Sequence, residues 1–466
     1  MTILYKHKIA FIYILVLFID RLDLTCINIV LPNLAKDLSV PISVTDKVSI
    51  SFLIALSISI LISNYLGDRY GNKKIFVGAL FLSSLSSCFC AYTNSFDLLV
   101  VFRATQGISV GLVLPVGITM LYRNYRKSEY ASITSYTFLP TLIAPAIAPF
   151  LGGIFSDYLS WRAVFILSAT LTLLTAICAI FFLKEDSHRI VKKFDGVGFV
   201  LSAILLINFF YTLSFITKNG MPHFAIISFI STCILLGTFV WWENKINYPL
   251  IDLSFFTHSM FFKANIIQLC FQICHFGFIF LVGIYLQMGV GMSATTAGII
   301  MGMQAFGAMS SSRYSVKLFN KHGPTAPLMI GLAGIGIITP CIMFIHHKDM
   351  ILLGAILFFA RGVFSGLCGT PIQTLSVMDC SQEKLGQANS LFNIGRQISI
   401  SLGIAASSIL LSYSLSMNNL IGVEDINPTQ SINIFFINFI FITVIAFIAI
   451  LVSNNIRVKK YIEVKN

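Results

Sequence analysis

Long apolar stretches of about twenty residues recur along the whole chain, separated by short polar segments, and neither the period of two of a strand nor an amphipathic stripe interrupts them. Fourteen such runs can be marked, at approximately 9–32, 48–66, 74–93, 97–121, 131–155, 162–183, 196–216, 222–242, 265–287, 293–313, 325–345, 350–375, 387–414 and 431–453. Each is long enough for a helix to cross the hydrocarbon layer of about 30 Å, where only helices and closed barrels satisfy their own backbone. The pattern therefore predicts an all-α integral membrane protein of fourteen transmembrane helices. The first run follows a basic stretch, MTILYKHKIA. It is too long and too charged for a signal peptide's apolar core, and no A-x-A-like site follows, so it reads as a retained helix.

The longest polar connections are 184–195 and 243–264, which divide the runs into six, two and six. The predicted organisation is an N-terminal six-helix bundle (1–186), a two-helix insert with its connections (187–260) and a C-terminal six-helix bundle (261–466). Six-plus-six repeats are a common plan of secondary transporters, with the substrate near the midplane.

Composition agrees: 56% of the 466 residues are hydrophobic and only 11% charged. The net charge of +12 raises nucleic acid as a partner, but its distribution speaks against that. With the N-terminus in the cytoplasm, outer loops carry only Lys36, Lys47, Arg162, Lys218 and Lys348, and helices carry Arg21, Arg103, Arg361 and Arg396. The remaining Lys and Arg fall on the cytoplasmic side. This positive-inside bias predicts that both termini are cytoplasmic and that the protein lies in the cytoplasmic (inner) membrane. Of the ten cysteines, nine sit within apolar runs and Cys380 in a loop, so they read as small apolar fillers rather than disulfides or metal ligands, and no metal site is expected.

Against this background the first run stands out, because Asp20, Arg21 and Asp23 lie inside it. A charge at membrane depth costs about 2.5–3.5 kcal/mol on the mildest scale and usually has a task. Asp23 reads as a carboxylate that alternately binds a proton and a cationic or polar substrate, or else as a structural ion pair. Asp20 lies one turn earlier on the same face. It is either a second proton site or a partner for Arg21, which points roughly 100° from each aspartate and could instead meet another helix. Arg103 sits at a depth within about 6 Å of Asp23, so a long side chain could reach it and tune its proton affinity. Asn28, Gln106, Gln272, Gln304, Arg361 and Arg396 are candidates for a substrate cavity. Arg361 and Arg396 could bind an anionic part of a substrate or pair with backbone carbonyls where helices break. His275 reads as a packing histidine.

A weak internal repeat accompanies these residues. Arg103 precedes Gly107-x3-Gly111 in the fourth run, and Arg361 precedes Gly362-x3-Gly366 in the twelfth, the fourth of the last six. G-x3-G seams allow close helix approach.

The loop Asn64-Tyr-Leu-Gly-Asp-Arg-Tyr-Gly-Asn-Lys-Lys74 resembles the signature of the major facilitator superfamily, Gly-x-Leu-Ala-Asp-Arg-x-Gly-Arg-Lys, with Asn64 in place of the opening Gly. Asp68, Arg69, Gly71 and Lys73 match. The resemblance implies the major facilitator fold and a charge-relay latch for the outward-facing state. Leu22-Asp-Leu-Thr-Cys-Ile-Asn-Ile-Val-Leu-Pro32, Arg103-Ala-Thr-Gln-Gly107, Trp161-Arg-Ala-Val-Phe165, Trp242-Glu, Pro249-Leu-Ile-Asp-Leu253 and Gly395-Arg-Gln-Ile-Ser-Ile-Ser-Leu-Gly403 resemble the fourteen-helix drug:proton antiporters of the EmrB/QacA type. In the fifth run Pro149, Gly152 and Gly153 match that group's export motif, while Ser135, Ala144 and Ala148 replace glycines. Asp23 belongs to the group's first-helix pattern and Asp20 does not.

The function expected is a proton-coupled antiporter that exports hydrophobic or amphipathic compounds by alternating access. An exporter of one endogenous metabolite or siderophore-like carboxylate is the alternative. No G-x4-G-K-[ST] occurs, so the proton gradient rather than ATP is the expected energy source, and no cofactor is implied. No clustered acid–base residues suggest an enzyme. The expected partners are protons, a small-molecule substrate and the lipid bilayer, with no nucleic acid; family resemblance also allows a periplasmic adaptor protein.

Overall fold

A computed structural model describes the chain except residues 1, 41–44, 156–158, 186–192, 218–221, 258, 379, 381–383, 419, 421–427, 455 and 457–466. The side chains of some further helical residues, Asn28, Pro149, Gly152 and Gly153 among them, also lie outside the described residues. The described residues are helical and contain no strand. The long helices are α1 (Thr2–Asp37), α2 (Asp46–Tyr70), α3 (Asn72–Tyr92), α4 (Phe96–Arg123), α5 (Tyr130–Ile154), α6 (Arg162–Phe182), α7 (Gly196–Thr217) and α8 (Pro222–Lys245). They continue as α9 (Ser259–Gly289), α10 (Ala294–His322), α11 (Thr325–Cys341), α12 (Ile351–Met378), α13 (Leu385–Met417) and α14 (Pro428–Asn454). Each expected apolar run coincides with one of these helices. Among the described residues, eleven of them are long and apolar enough to cross a membrane; α1, α5 and α10 are not among the eleven.

The helices gather into two compact units. Unit 1 comprises 1–212, 223–255 and 380–394; unit 2 comprises 213–222, 256–379 and 395–466. In unit 1, α4 packs on α2, α3 and α1, α3 packs on α6, and α1 packs on α5 and α6. In unit 2, α12 packs on α10, α11 and α9, α11 packs on α14, and α9 packs on α14. Counted from the first helix of each six, most of these pairings are the same.

The two glycine pairs explain the closest of these contacts. A Cβ at Gly107 would overlap the Phe52 carbonyl on α2, and one at Gly111 would overlap that of Leu56. On α12, a Cβ at Gly362 would overlap the Gln304 carbonyl on α10, and one at Gly366 would overlap that of Ala308. In each unit the fourth helix thus lies backbone-to-backbone on the second, where dispersion replaces a hydrophobic driving force.

Gly71 alone joins α2 to α3, with φ 102° and its N–H on the Gly67 carbonyl at 2.9 Å. An L side chain is strained in that left-handed conformation by about 1–2 kcal/mol. Gly71→Ala is expected to lower the melting temperature of the purified protein. Gly78→Ala on α3, where a Cβ meets open space, should leave it unchanged. Equal effects from both would show that the joint tolerates a side chain.

Candidate functional site

In unit 1 the charges of the first helix meet the fourth. Arg103 Nη1 donates to Asp23 Oδ2 at 2.8 Å, and both side chains are essentially inaccessible, at 0% and 4%. The same guanidinium donates through Nε to the Val48 carbonyl at 3.4 Å and through Nη1 to Gln106 Oε1, and it stacks 4.4 Å from the Phe52 ring centroid. Gln106 passes the chain on, its Nε2 donating to Ser87 Oγ at 2.8 Å. Asp23 Oδ1 and Arg103 Nη2 have no hydrogen-bond partner among the described residues. A buried ion pair repays its desolvation only when its geometry is good, and this one combines an ion pair, a carbonyl, an amide and a ring.

Arg21 folds back along its own helix, Nε standing 3.5 Å from Asp20 Oδ2. Its side chain is 15% exposed against 3% for Asp20. Asp20 and Asp23 share one small cavity of about 30 Å³, lined also by Ser83, Gln106, Ser168 and Thr172. A water needs roughly 10–15 Å³ and a few polar partners, so the cavity has room for water beside both carboxylates. The hydroxyls of α3 and α6 were missed by the sequence reading. The pairs Ser83-Ser84 and Ser86-Ser87, in an otherwise apolar helix, were the available signal. Toward the C-terminal end of α1 a dry cluster of Cys26, Ile27, Val30, Leu34, Trp161 and Phe165 closes over the charges.

The signature loop is placed next to α4. Asp68 Oδ1 stands 3.4 Å from Arg123 Nη2 at the end of α4, Lys73 Nζ donates to the Ile180 carbonyl at 2.8 Å, and Arg69 donates to the Tyr65 hydroxyl. Asn64, which stands where the family pattern has Gly, donates to the Gly386 carbonyl at 2.6 Å and to Ser390 Oγ, both within unit 1.

The motifs after the helix pair have local partners too. Trp242 Nε1 donates to Asp195 Oδ2 at 3.0 Å, Asp195 Oδ1 accepts from the Gly198 amide at 2.9 Å, and Glu243 Oε2 accepts from the Ile251 amide at 3.2 Å. In the loop that follows, Lys384 Nζ donates to Asp252 Oδ2 at 2.8 Å. Burial pushes the Asp252 carboxyl up, but hydrogen bonds from Lys384 and Ser254 outweigh it and hold the group below the usual carboxylate range.

In unit 2 the counterpart arginine has a different partner. Arg361 is fully buried; its Nη2 donates to the Cys274 carbonyl at 2.7 Å, its Nε donates to Thr339 Oγ1 at 3.2 Å, and its guanidinium lies 3.5 Å from the Phe278 centroid. Cys274 belongs to a π turn, Ile273–Gly277, within α9, where the regular ladder is broken. Arg361 Nη1 has no partner among the described residues. Gln304 approaches His275 Nδ1 at 3.4 Å, Gln272 is buried and Arg396 is half-buried on α13. The candidate cavity residues therefore divide between the units, Gln106 in unit 1 and Gln272, Gln304, Arg361 and Arg396 in unit 2. The side chain of Asn28 lies outside the described residues, as do the side-chain surroundings of Pro149, Gly152 and Gly153. All ten cysteines are free thiols.

Residues 13–404 match the family model described as the Major Facilitator Superfamily. The chain belongs to the Major Facilitator Superfamily. As a member it is a multi-pass protein of the cytoplasmic membrane, and its family points to transport rather than to an enzyme. Curated relatives include the "Putative multidrug resistance protein MdtD" of Yersinia enterocolitica, 27% identical over 395 residues, covering 84% of each chain. The protein of the same name from Pectobacterium atrosepticum is 27% identical with the same coverage. Among solved structures, the human organic anion transporter MFSD10 (TETRAN) aligns with TM-score 0.65 at 12% identity, over 96% of this chain and 99% of that one. The proton:xylose symporter XylE aligns with TM-score 0.65 at 12% identity, over 97% and 95%. At such identities these structures show the major facilitator fold and nothing finer.

Proposed function

We propose that this major facilitator protein is a proton-coupled antiporter that exports hydrophobic or amphipathic compounds across the cytoplasmic membrane by alternating access. In this reading all fourteen helices cross the membrane, both termini are cytoplasmic, and six helices, a two-helix insert and six helices follow in order (1–186, 187–260 and 261–466). The proton is exchanged at the carboxylate pair of the first helix, Asp20 and Asp23, with Arg103 tuning its proton affinity; the proton gradient supplies the energy and no cofactor takes part. The loop of Asp68, Arg69, Gly71 and Lys73, with Pro149, Gly152 and Gly153, serves the conformational change. Gln106 lines the proton cavity, and Asn28, Gln272, Gln304, Arg361 and Arg396 serve the substrate.

One observation carries the reading: two buried carboxylates, one of them paired with a buried arginine, line a cavity with room for water inside a helix bundle. Buried ionisable groups in such a position mark ion and proton pathways. The relatives' name, multidrug resistance protein, supports export of drug-like compounds. A second reading, export of an endogenous carboxylate, is favoured by Arg361, a buried guanidinium whose described partners are neutral and whose Nη1 is unpartnered.

Proteoliposomes holding the full chain, with an imposed pH gradient and ethidium as the probe, test the proposal. Ethidium should move in exchange for protons, and nigericin, which collapses the gradient, should stop it. Movement that ignores the gradient would sink proton coupling. Citrate moved in place of ethidium would establish the second reading.

A further inference from the structure

We infer that Asp20, and not Asp23, is the carboxylate that takes up and gives up the proton, while Asp23 remains the fixed counterion of Arg103. This deepens the proton exchange proposed above for the same group and rests on it.

The argument begins with what each protonation leaves behind. If Asp23 gains a proton, the contacts left to Arg103 at zero exposure among the described residues are neutral: the Val48 carbonyl, the Gln106 amide and the Phe52 and Phe165 rings. An uncompensated charge at that depth is strongly destabilising. If Asp20 gains one, the charge left behind is that of Arg21. Its side chain is 15% exposed and its Nε stands 3.5 Å away, a looser pair than the 2.8 Å contact of Asp23. Arg21 Nε is buried, but the rest of its side chain keeps some exposure, so this long basic chain is less enclosed than Arg103 and freer to turn its head group. Asp20 is thus the carboxylate whose charge can change at the smaller electrostatic cost.

Both carboxylates line the same cavity, so a water held there would lie beside Asp20 as well as Asp23. Ser83 on α3, Gln106 on α4, and Ser168 and Thr172 on α6 supply neutral donors and acceptors along its wall. Arg103 is the charged group facing Asp23 from α4. The thiols of Cys26 on α1 and Cys90 on α3 stand near Asp23. Asp23 Oδ1, buried and without a partner among the described residues, belongs to a side chain that lines the cavity and marks a place for a bound water. The step itself is simple: the Asp20 carboxylate forms one O–H bond to an incoming proton and later releases the same proton. Nothing is oxidised or reduced.

The test is the infrared difference spectrum between alkaline and acidic pH of the full-length protein in lipid bilayers, read at the C=O stretch of protonated carboxyls. In the alkaline-minus-acidic difference spectrum, Asp20→Asn should lack one band that the wild type shows, and Asp23→Asn should lack none. Asp20→Glu should displace the same band without abolishing it, and decides the matter should Asp20→Asn fail to fold. Full wild-type amplitude in Asp20→Asn together with an undisplaced band in Asp20→Glu would overturn the inference, as would loss of the band in Asp23→Asn alone. No substrate or gradient enters the measurement. A protein that moves no ethidium would therefore leave this result standing, and a band assigned to Asp23 would leave the transport result untouched.

Discussion

Asp23→Asn is expected to destabilise the purified protein by about 3–5 kcal/mol, the usual cost of removing one partner of a buried ion pair. The loss has a specific cause. Arg103 has no exposure and its remaining partners are neutral, so its charge cannot be re-solvated without opening the α1–α4 packing. The double variant Asp23→Asn, Arg103→Met should recover much of the loss, because it removes the stranded charge and keeps a chain of similar bulk against Phe52. Asp20→Asn should cost clearly less. Thermal unfolding in detergent, monitored by the intrinsic fluorescence of the three tryptophans, checks the series. If the single and the double variants melt together, the pair contributes nothing as a pair, and a charge-neutral explanation of α1–α4 packing would be needed.

The second large effect is steric. Gly107→Ala and Gly362→Ala should each lower stability by about 1–3 kcal/mol, the cost of overpacking a closed seam. Each new Cβ overlaps a backbone carbonyl, of Phe52 in one case and Gln304 in the other, and neither can swing away as a side chain would. Gly302→Ala on α10 is the control: a Cβ there meets open space, so stability should be unchanged or slightly raised. The yield of folded protein from membranes and its melting temperature both report the result. If all three variants behave alike, the glycine seams are loose and the backbone contacts carry little energy.

Much of this was legible in the chain, for definite reasons. Hydropathy located the helices because a backbone at membrane depth must bond to itself, which leaves few alternatives to a helix. The Arg103–Asp23 contact followed from depth, since the rise per residue and the length of an arginine limit what it can reach. Other features depended on rotation and on backbone detail that composition does not encode. Arg21 turned back to Asp20 rather than to another helix, at a distance set by its own rotamer. Arg361 met a backbone carbonyl because α9 contains a π turn at Ile273–Gly277, and no residue in Ile273-Cys-His-Phe-Gly277 announces one. Asn64 was visible only as a departure from a family glycine; its bonds to Gly386 and Ser390 needed the packed bundle.

The contrast between the two buried arginines also bears on genetics. Arg103 depends on a side chain, so a single base change at Asp23 can orphan it. Arg361 depends on the Cys274 main chain, which every substitution at 274 retains except through a change of helix shape. Random mutagenesis should therefore yield disabling alleles at both ends of the first pair. At the second it should yield them at Arg361 itself and at the residues that shape its surroundings, Phe278 and Thr339, with Cys274 tolerating small replacements.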